Sequence, residues 1–330
     1  MGFNTMNETD RKTNAILKII AGATGPIGSA EIAARLKEQG IETSERTVRY
    51  HLKLMNEKGL TKIFWKEGRM ITSKGREELG NALVSDKIGL MSSRIETMAY
   101  RMDFDIYEKT GRVLLNVSLI RQDDFSRALK VMSEIFRKKL ATGDRVAVAE
   151  PGEDLGGFTV PPGQIGFGTL CSVNLNGILL KHSIPVESKF GGLLQIENDR
   201  PLRFTEMISY SGSSLDPHEI FIKSKMTGVC AASGGSGKVL AGLREIPAVS
   251  VNEAEAIIRK AESAGVGRAL MIGKAGQPLL GMPVGAERVG IVVPGGLNPI
   301  AAVEESGLET SSKALVALAD YQQLIDFWQL

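Results

Sequence analysis

The stretch SERTVRYHLKLMNEKGL, residues 44–60, has the pattern of an amphipathic helix with one basic face. Ser44 is a residue type that often caps a helix N-terminus, and Val48, Leu52 and Met55 recur at helical spacing. The charged and polar residues between them fall on the opposite side. The pattern predicts a helix whose apolar side packs on a core and whose cationic side faces solvent.

The segments on either side of this helix complete a recognisable order of elements. Apolar periodicity predicts two earlier helices over residues 8–21 and 29–40, and two strands at 60–65 and 70–72 flank a basic turn at 66–69. Two helices, a tight turn, a basic helix and a hairpin are the order of a winged helix-turn-helix, whose third helix fits the DNA major groove while wing cations meet phosphate. We therefore assign residues 1–73 to a DNA-binding domain. Its candidate contact residues are Ser44, Arg46, Thr47, Arg49, Tyr50, Lys53, Lys66 and Arg69.

The charge distribution agrees with this interpretation. Residues 44–74 hold eight basic and three acidic residues, a local charge of +5, although the whole chain carries only +2. A basic patch on a nearly neutral chain is typical of a nucleic-acid-binding surface. The same pattern also fits a solvated helix face, or a winged helix that contacts protein instead of DNA.

Length and composition exclude several classes of protein. A chain of 330 residues is long enough for two domains, and 43% hydrophobic with 24% charged residues is ordinary for a globular protein. No apolar run approaches the ~18 residues of a membrane helix, so we expect no membrane partner and a cytoplasmic protein. Two cysteines and three histidines without metal-ligand spacing predict neither a disulfide framework nor a metal site.

The rest of the chain contains an internal duplication. Residues 74–110 are predicted to form a helical linker, and residues 111–330 a second domain of the α/β or α+β class. Within it, GRVLLNVSL at Gly111 matches GKVLAGLRE at Gly237, and each is followed by an amphipathic helix. The fold prediction is thus a winged helix, a linker and a pseudo-duplicated domain.

The duplication sets the boundaries of two β-α-β-type halves. The halves cover residues 111–184 and 237–308, and our alignment places Asn176 opposite Asn298. The unmatched residues 185–236 are predicted to be a strand-rich insertion that acts as a lid or a dimerisation arm.

Two matched loops of the second domain are the candidate ligand site. TLCSVNLNG (residues 169–177) and VPGGLNP (residues 293–299) each leave a strand and reach a helix start, where free backbone N–H groups can hold a carboxylate or phosphate. Two such loops facing each other would receive both ends of a dianion, with an arginine as a bidentate clamp. Ordinary loop connections are the alternative. The candidate residues are Thr169, Cys171, Ser172, Asn174, Asn176, Arg244, Arg268, Gly295, Gly296 and Asn298.

Enzymatic activity is the competing class of function. Cys171 or the adjacent Ser172 offers a nucleophile and His182 a base, but no third group is placed by sequence. The run GGSGK at residues 234–238 departs from phosphate-loop spacing. We therefore predict a protein that is not an enzyme.

Segments spread over the chain resemble the archaeal nitrogen-regulation repressors of the NrpR type, which join a winged helix to NrpR sensor domains. They are MAYRMDFD (98–105), GFGTLCS with NG (166–177), IPVESKFGG (184–192), RFTEMISYSGSSLDPHEIF (203–221), LREIPA (243–248) and the GGLN loop (295–298). The resemblance implies repression of nitrogen-assimilation promoters, relieved by 2-oxoglutarate as effector, with no cofactor.

The resemblance also bears on assembly. Some relatives carry two sensor domains in tandem, whereas this chain has room for one. Because one winged helix covers too few base pairs to select a promoter, we expect a homodimer on an inverted-repeat operator. Pairing with a separate chain of sensor domains is the alternative.

Overall fold

The computed structural model describes residues 8–23, 25–64, 67–81 and 90–330. The chain divides into two compact units, Met1–Gly89 and Leu90–Leu330. Each unit has a hydrophobic core of its own.

The first unit is a winged helix. Its core is formed by apolar residues of three helices, among them Leu17, Ile32 and Leu52. The helices and strands are α1 Glu8–Ala21, α2 Ser29–Glu38, α3 Glu45–Glu57, β1 Thr61–Phe64, β2 Gly68–Ile71 and α4 Ser73–Asn81. The predicted order of helices and hairpin is confirmed.

The hairpin is held against the turn before α2. Strands β1 and β2 pair antiparallel, and the backbone of Arg69 exchanges two hydrogen bonds with Ile27, each 3.0 Å long. Gly68 has φ +123°, and a Cβ there would lie 2.4 Å from the Ile27 carbonyl oxygen. Only glycine can occupy this position, because a side chain would push the hairpin away from the backbone of Ile27.

The predicted linker, residues 74–110, differs from the structure. Its first part, α4, packs on α1 in the first unit, and residues 82–89 lie outside the described residues. Its second part contains α5, Met91–Arg101, which buries Met91 and Ile95 in the core of the second unit. The boundary therefore falls before Leu90 rather than at Gly111, because the apolar residues of α5 are spaced for burial and not for solvent.

The second unit contains two copies of one arrangement, strand–helix–strand–strand–helix–strand. The first copy consists of β3 Arg112–Arg121, α6 Phe125–Arg137, β4 Arg145–Ala149, β5 Gln164–Leu170, α7 Asn174–Lys181 and β6 Glu187–Glu197. β7 Arg200–Ser209, α8 Pro217–Lys223 and α9 Val229–Ser233 follow. The second copy consists of β8 Gly237–Pro247, α10 Val251–Ser263, β9 Met271–Ile272, β10 Arg288–Pro294, α11 Asn298–Glu305 and β11 Thr310–Asp320, and β12 Ile325–Asp326 comes after it.

The two copies exchange their last strands. The sheets have the orders β7-β6-β8-β10-β9 and β11-β3-β5-β4-β12, with every pairing antiparallel. β6 therefore completes the sheet of the second copy, and β11 that of the first. Each copy is a split β-α-β unit of the ferredoxin-like kind, since β5 lies between β3 and β4. Of the two predicted classes, the fold is thus α+β.

The structure corrects two boundaries of the duplication. The predicted insertion, residues 185–236, contains β6, which is the last strand of the first copy; only the residues from β7 to α9 are without a counterpart. The predicted pairing of Asn176 with Asn298 is wrong by two residues. Asn174 is the true counterpart, because both Asn174 and Asn298 begin an eight-residue helix.

Candidate functional site

The outer face of α3 is the candidate DNA-binding surface. Arg46, Arg49, Tyr50 and Lys53 are exposed on it, while the apolar side of the helix is buried. Ser44 caps the helix by accepting a 3.1 Å hydrogen bond from the Thr47 amide, and the two hydroxyl groups lie 2.9 Å apart. Ser44 and Thr47 thus fix the start of the helix that carries the cations.

The arginines of α3 differ in the hydrogen bonds and ion pairs that their side chains form. The Arg49 guanidinium donates to Glu45 one turn earlier and to Ser29 Oγ at 3.3 Å. The hydrogen bonds that Glu45 accepts from Arg49 and Ser29 hold its pKa below the usual value. Arg46 is in none of the ion pairs found among the described residues, so its guanidinium is the one most available to a base edge.

Of the two predicted wing cations, the structure describes only Arg69, and its position differs from the prediction. Lys66 lies outside the described residues. Arg69 is not at the tip but in β2, half-buried, and its Nη1 donates a 2.7 Å hydrogen bond to the Leu52 carbonyl oxygen of α3. Burial also lowers the pKa of Arg69. Arg69 positions the hairpin against α3 instead of presenting a free charge to phosphate.

The second unit contains a small, mostly enclosed cavity. It is lined by both predicted loops, through Cys171, Ser172 and Gly296, and by Asn116 and Leu315 of the β3–β11 pair. Its volume is ≈ 20 Å³, about the space needed by one water molecule. Residues that the sequence did not mark also line it: Met91, Ile95, Tyr210, Asp216 and His218.

Arg244 does not line this cavity itself but contacts the lining residue Ser172, and the carboxylate of Asp216 also lines the cavity. The Arg244 side chain is only 1% exposed; Nη2 donates to Ser172 Oγ at 3.0 Å and Nε to Asn176 Oδ1 at 2.9 Å. Nη1 makes no hydrogen bond of good geometry, although the Tyr210 hydroxyl lies close to the guanidinium and interacts with it, and no carboxylate among the described residues is within ion-pair distance of it. A guanidinium stays protonated in proteins, and a buried unpaired charge is costly. The arrangement is suited to an anion that supplies the missing countercharge.

Asn176 and Ser172 orient Arg244. Asn176 uses Oδ1 to accept from the guanidinium and Nδ2 to donate to Ser188 Oγ at 2.9 Å; turning the amide over would place its NH2 group against the guanidinium, which can only donate, so this orientation is fixed. The residue matched to Arg244 in the first copy is Ser118, which contacts Ser312 Oγ at 2.8 Å. The duplication has therefore produced one cationic site and not two.

Two predicted ligand residues have a structural role instead. Asn174 accepts from the Leu114 amide at 2.7 Å, and Asn298 accepts from the Leu240 amide at 2.8 Å. The side-chain amide nitrogens of both residues donate to backbone carbonyls. Each asparagine ties a helix start to the first strand of its own copy, and neither amide is free for a ligand.

The remaining predicted residues lie around the cavity or away from it. Thr169 accepts a long, 3.5 Å bond from Asn116, and Gly295 donates to the Leu240 carbonyl at 2.7 Å. A Cβ at Gly296 would lie 2.0 Å from the Leu170 carbonyl oxygen, so this loop is in backbone contact with its counterpart. Arg268 is buried, but it pairs with Asp144 at 2.7 Å and does not line the cavity.

The chemistry of Cys171 argues against the nucleophile. Burial raises the pKa of its thiol to about 12, so the thiolate is rare near neutral pH. His182, the predicted base, does not line the cavity, and its Nδ1 lies 2.9 Å from the Ile178 carbonyl oxygen. His218 does line it, and burial lowers its pKa.

The described ranges contain neither a candidate metal site nor a candidate membrane-spanning helix. There, no group of three or more His, Cys, Asp or Glu residues could hold a metal ion. No described helix has the length and apolar composition needed to cross a membrane.

A winged helix with exposed basic residues on α3, joined to a separate unit that buries an arginine close to a small cavity, defines a DNA-binding transcription regulator. Family models agree: residues 14–79 match the ribonuclease R winged-helix domain, and residues 88–326 match the NrpR regulatory domains NRD1 and 2. The chain belongs to the NrpR family of nitrogen regulators, as the sequence resemblance predicted.

Individual relatives support the same assignment. The chain is 38% identical to the global nitrogen regulator NrpRI of Methanosarcina mazei, over 96% of this chain and 98% of that one. It is 32% identical to NrpR of Methanococcus maripaludis over 94% of this chain, but it spans only 54% of that longer protein. A crystal structure of a nitrogen repressor-like protein from Methanococcus jannaschii superimposes with a TM-score of 0.63 and 29% identity, over 73% of this chain and 99% of that one.

Proposed function

We propose that this chain is a repressor of nitrogen-assimilation promoters that binds operator DNA through α3 and releases it when 2-oxoglutarate binds beside Arg244. The observation that carries the effector assignment is the buried Arg244 guanidinium, which has no carboxylate paired with it among the described residues and donates to Ser172, a residue that lines the cavity. A carboxylate is the ligand that a guanidinium recognises best, through two parallel hydrogen bonds. The protein acts by binding and not by catalysis.

The size of the cavity determines how this effector must act. A volume of ≈ 20 Å³ holds about one water molecule, so a five-carbon dicarboxylate enters only if the cavity widens. A ligand shifts an equilibrium only when it binds one state better than the other. We propose that the wider state is the one that binds 2-oxoglutarate and releases DNA.

Effector-dependent DNA release is the first expected result. Adding 2-oxoglutarate to the full chain on promoter duplexes should weaken DNA binding by roughly 5–150-fold, the usual range of allosteric coupling. Fluorescence anisotropy at fixed salt measures it. Glutarate, which lacks the ketone, and glutamate are the matched controls. Equal effects of all three compounds, or no effect of any, would contradict the proposal.

Dimer formation is the second expected result. The dimer contact is assigned to residues 185–236, within which β7 is the outermost strand of its sheet and exposes 57% of Met207. Light scattering should give twice the chain mass of 35.5 kDa. Met207→Glu should shift the equilibrium toward monomer, whereas Leu180→Glu on α7 should not. A wild-type chain that is monomeric at micromolar concentration would contradict this assignment.

A further inference from the structure

Helix α5 begins where the chain enters the second unit, and its first two turns line the cavity. Its buried side chains Met91, Ile95 and Ala99 follow each other at intervals of four residues, so they form one stripe along the helix. The first two line the cavity beside Arg244. Leu90, the residue before the helix, is the first residue of the second unit.

The two ends of α5 are held differently. Its N-cap residue offers no side-chain hydrogen bond, and the amides of Met91 and Ser92 donate to the carbonyls of Ser213 and Tyr210, at 2.8 and 3.1 Å. The C-terminal end lies against α7, where a Cβ at Gly177 would be only 3.0 Å from the Ala99 carbonyl oxygen. The closely packed end can serve as a pivot for the end that is held by two hydrogen bonds.

The two loops that line the cavity are fixed more firmly than the start of α5. The two loops touch through backbone at Gly296 and Leu170, and Asn174 and Asn298 anchor their helix starts with several buried hydrogen bonds. Moving either loop would break those bonds in a close-packed interior, which is costly. Met91, by contrast, is unbranched and adapts its shape at little cost. The cavity therefore widens more easily on the side of α5 than on the side of the two loops.

We propose that α5 is the element through which a ligand beside Arg244 acts on the winged-helix unit. The entering ligand displaces Met91 and Ile95, the first turn of α5 leaves the carbonyls of Ser213 and Tyr210, and Leu90 moves with it. The inference rests on the proposed function, because it takes the Arg244 cavity as the effector site. It adds the element, α5, whose movement on ligand binding shifts Leu90, where the chain enters the second unit.

Two buried methionines of the second unit provide a matched pair of variants. Met91 and Met132 are 1% and 0% exposed, but only Met91 lines the cavity, and Met132 lies on α6, away from α5. In the full chain, Met91→Ala makes room for the ligand without displacing the helix. We expect it to bind 2-oxoglutarate at least as tightly as wild type in calorimetry, while the ligand-induced loss of DNA affinity falls several-fold toward none. Met132→Ala should keep the wild-type coupling.

Amide hydrogen exchange of the wild-type full chain is the second measurement, and it does not depend on the folding of any variant. With 2-oxoglutarate, exchange should accelerate in peptides that contain residues 91–94 and stay unchanged in those that contain residues 97–101. If DNA is released while residues 91–94 keep their protection, or if Met91→Ala couples like wild type, the inference is overturned and the proposed function stands. A wild-type chain that fails to bind 2-oxoglutarate overturns both.

Discussion

Arg244→Met is expected to weaken 2-oxoglutarate binding by about two to three orders of magnitude and to leave DNA binding intact. Removing one partner of a buried, hydrogen-bonded charge pair costs about 2–5 kcal/mol. Methionine matches much of the length of arginine and removes the uncompensated charge, so the fold should tolerate the change. The variant would repress its promoters whatever the effector concentration.

Arg268→Met is the matched control for this experiment. Arg268 is also buried and was an equal candidate from sequence, but it pairs with Asp144 away from the cavity. Calorimetry should show near wild-type affinity for Arg268→Met, whereas Ser172→Ala should weaken binding less than Arg244→Met does. Wild-type affinity in the Arg244 variant would place the effector elsewhere. A side chain at Gly296 is unsuitable for the test because it would strike the Leu170 carbonyl.

The winged helix was predictable because its signals are local. The cap at Ser44, the spacing of Val48, Leu52 and Met55, and the hairpin that follows all act within a few residues along the chain. Arg69 was misplaced for a different reason: its partner, the Leu52 carbonyl, lies 17 residues away. A basic residue in a hairpin can bind phosphate or can hydrogen-bond to a neighbouring helix, and the sequence pattern is the same in both cases.

The strand exchange was not predictable from the same kind of pattern. Alternating burial indicates which side of a strand faces a core, but it does not indicate which of two similar sheets the strand joins. The last strands, β6 and β11, follow equivalent helices and pair with β8 and β3 of the other copy. The sequence pattern therefore predicted the two halves, but the prediction placed β6 in the insertion.

The candidate site was only partly predictable. Ser172, Asn176 and Arg244 were among the candidates, yet Arg244 meets the other two across 72 and 68 residues of chain. Asn174 and Asn298 were misjudged because a helix-start asparagine suits a ligand loop and a backbone anchor equally well. Tyr210 and His218 lie in a stretch that resembles the family, and only the fold shows that this stretch reaches the cavity.

Arg46→Ala is expected to cost about 1–3 kcal/mol of specific DNA binding, the usual value of a bidentate contact between arginine and guanine. Arg46 is exposed and in none of the described ion pairs, so its guanidinium is available without breaking another contact. Arg49 must first leave Glu45, which offsets part of its gain on DNA. The loss from Arg49→Ala should therefore be smaller than the loss from Arg46→Ala.

Footprinting and anisotropy on operator and scrambled duplexes separate base recognition from general charge. Arg46→Lys keeps the charge but not the planar fork, so it should lose specificity while retaining most of its affinity for scrambled DNA. Arg76→Ala on α4 removes the same charge outside α3 and should leave the operator preference unchanged. If Arg46→Ala and Arg49→Ala both protect the operator like wild type, α3 is not the recognition helix.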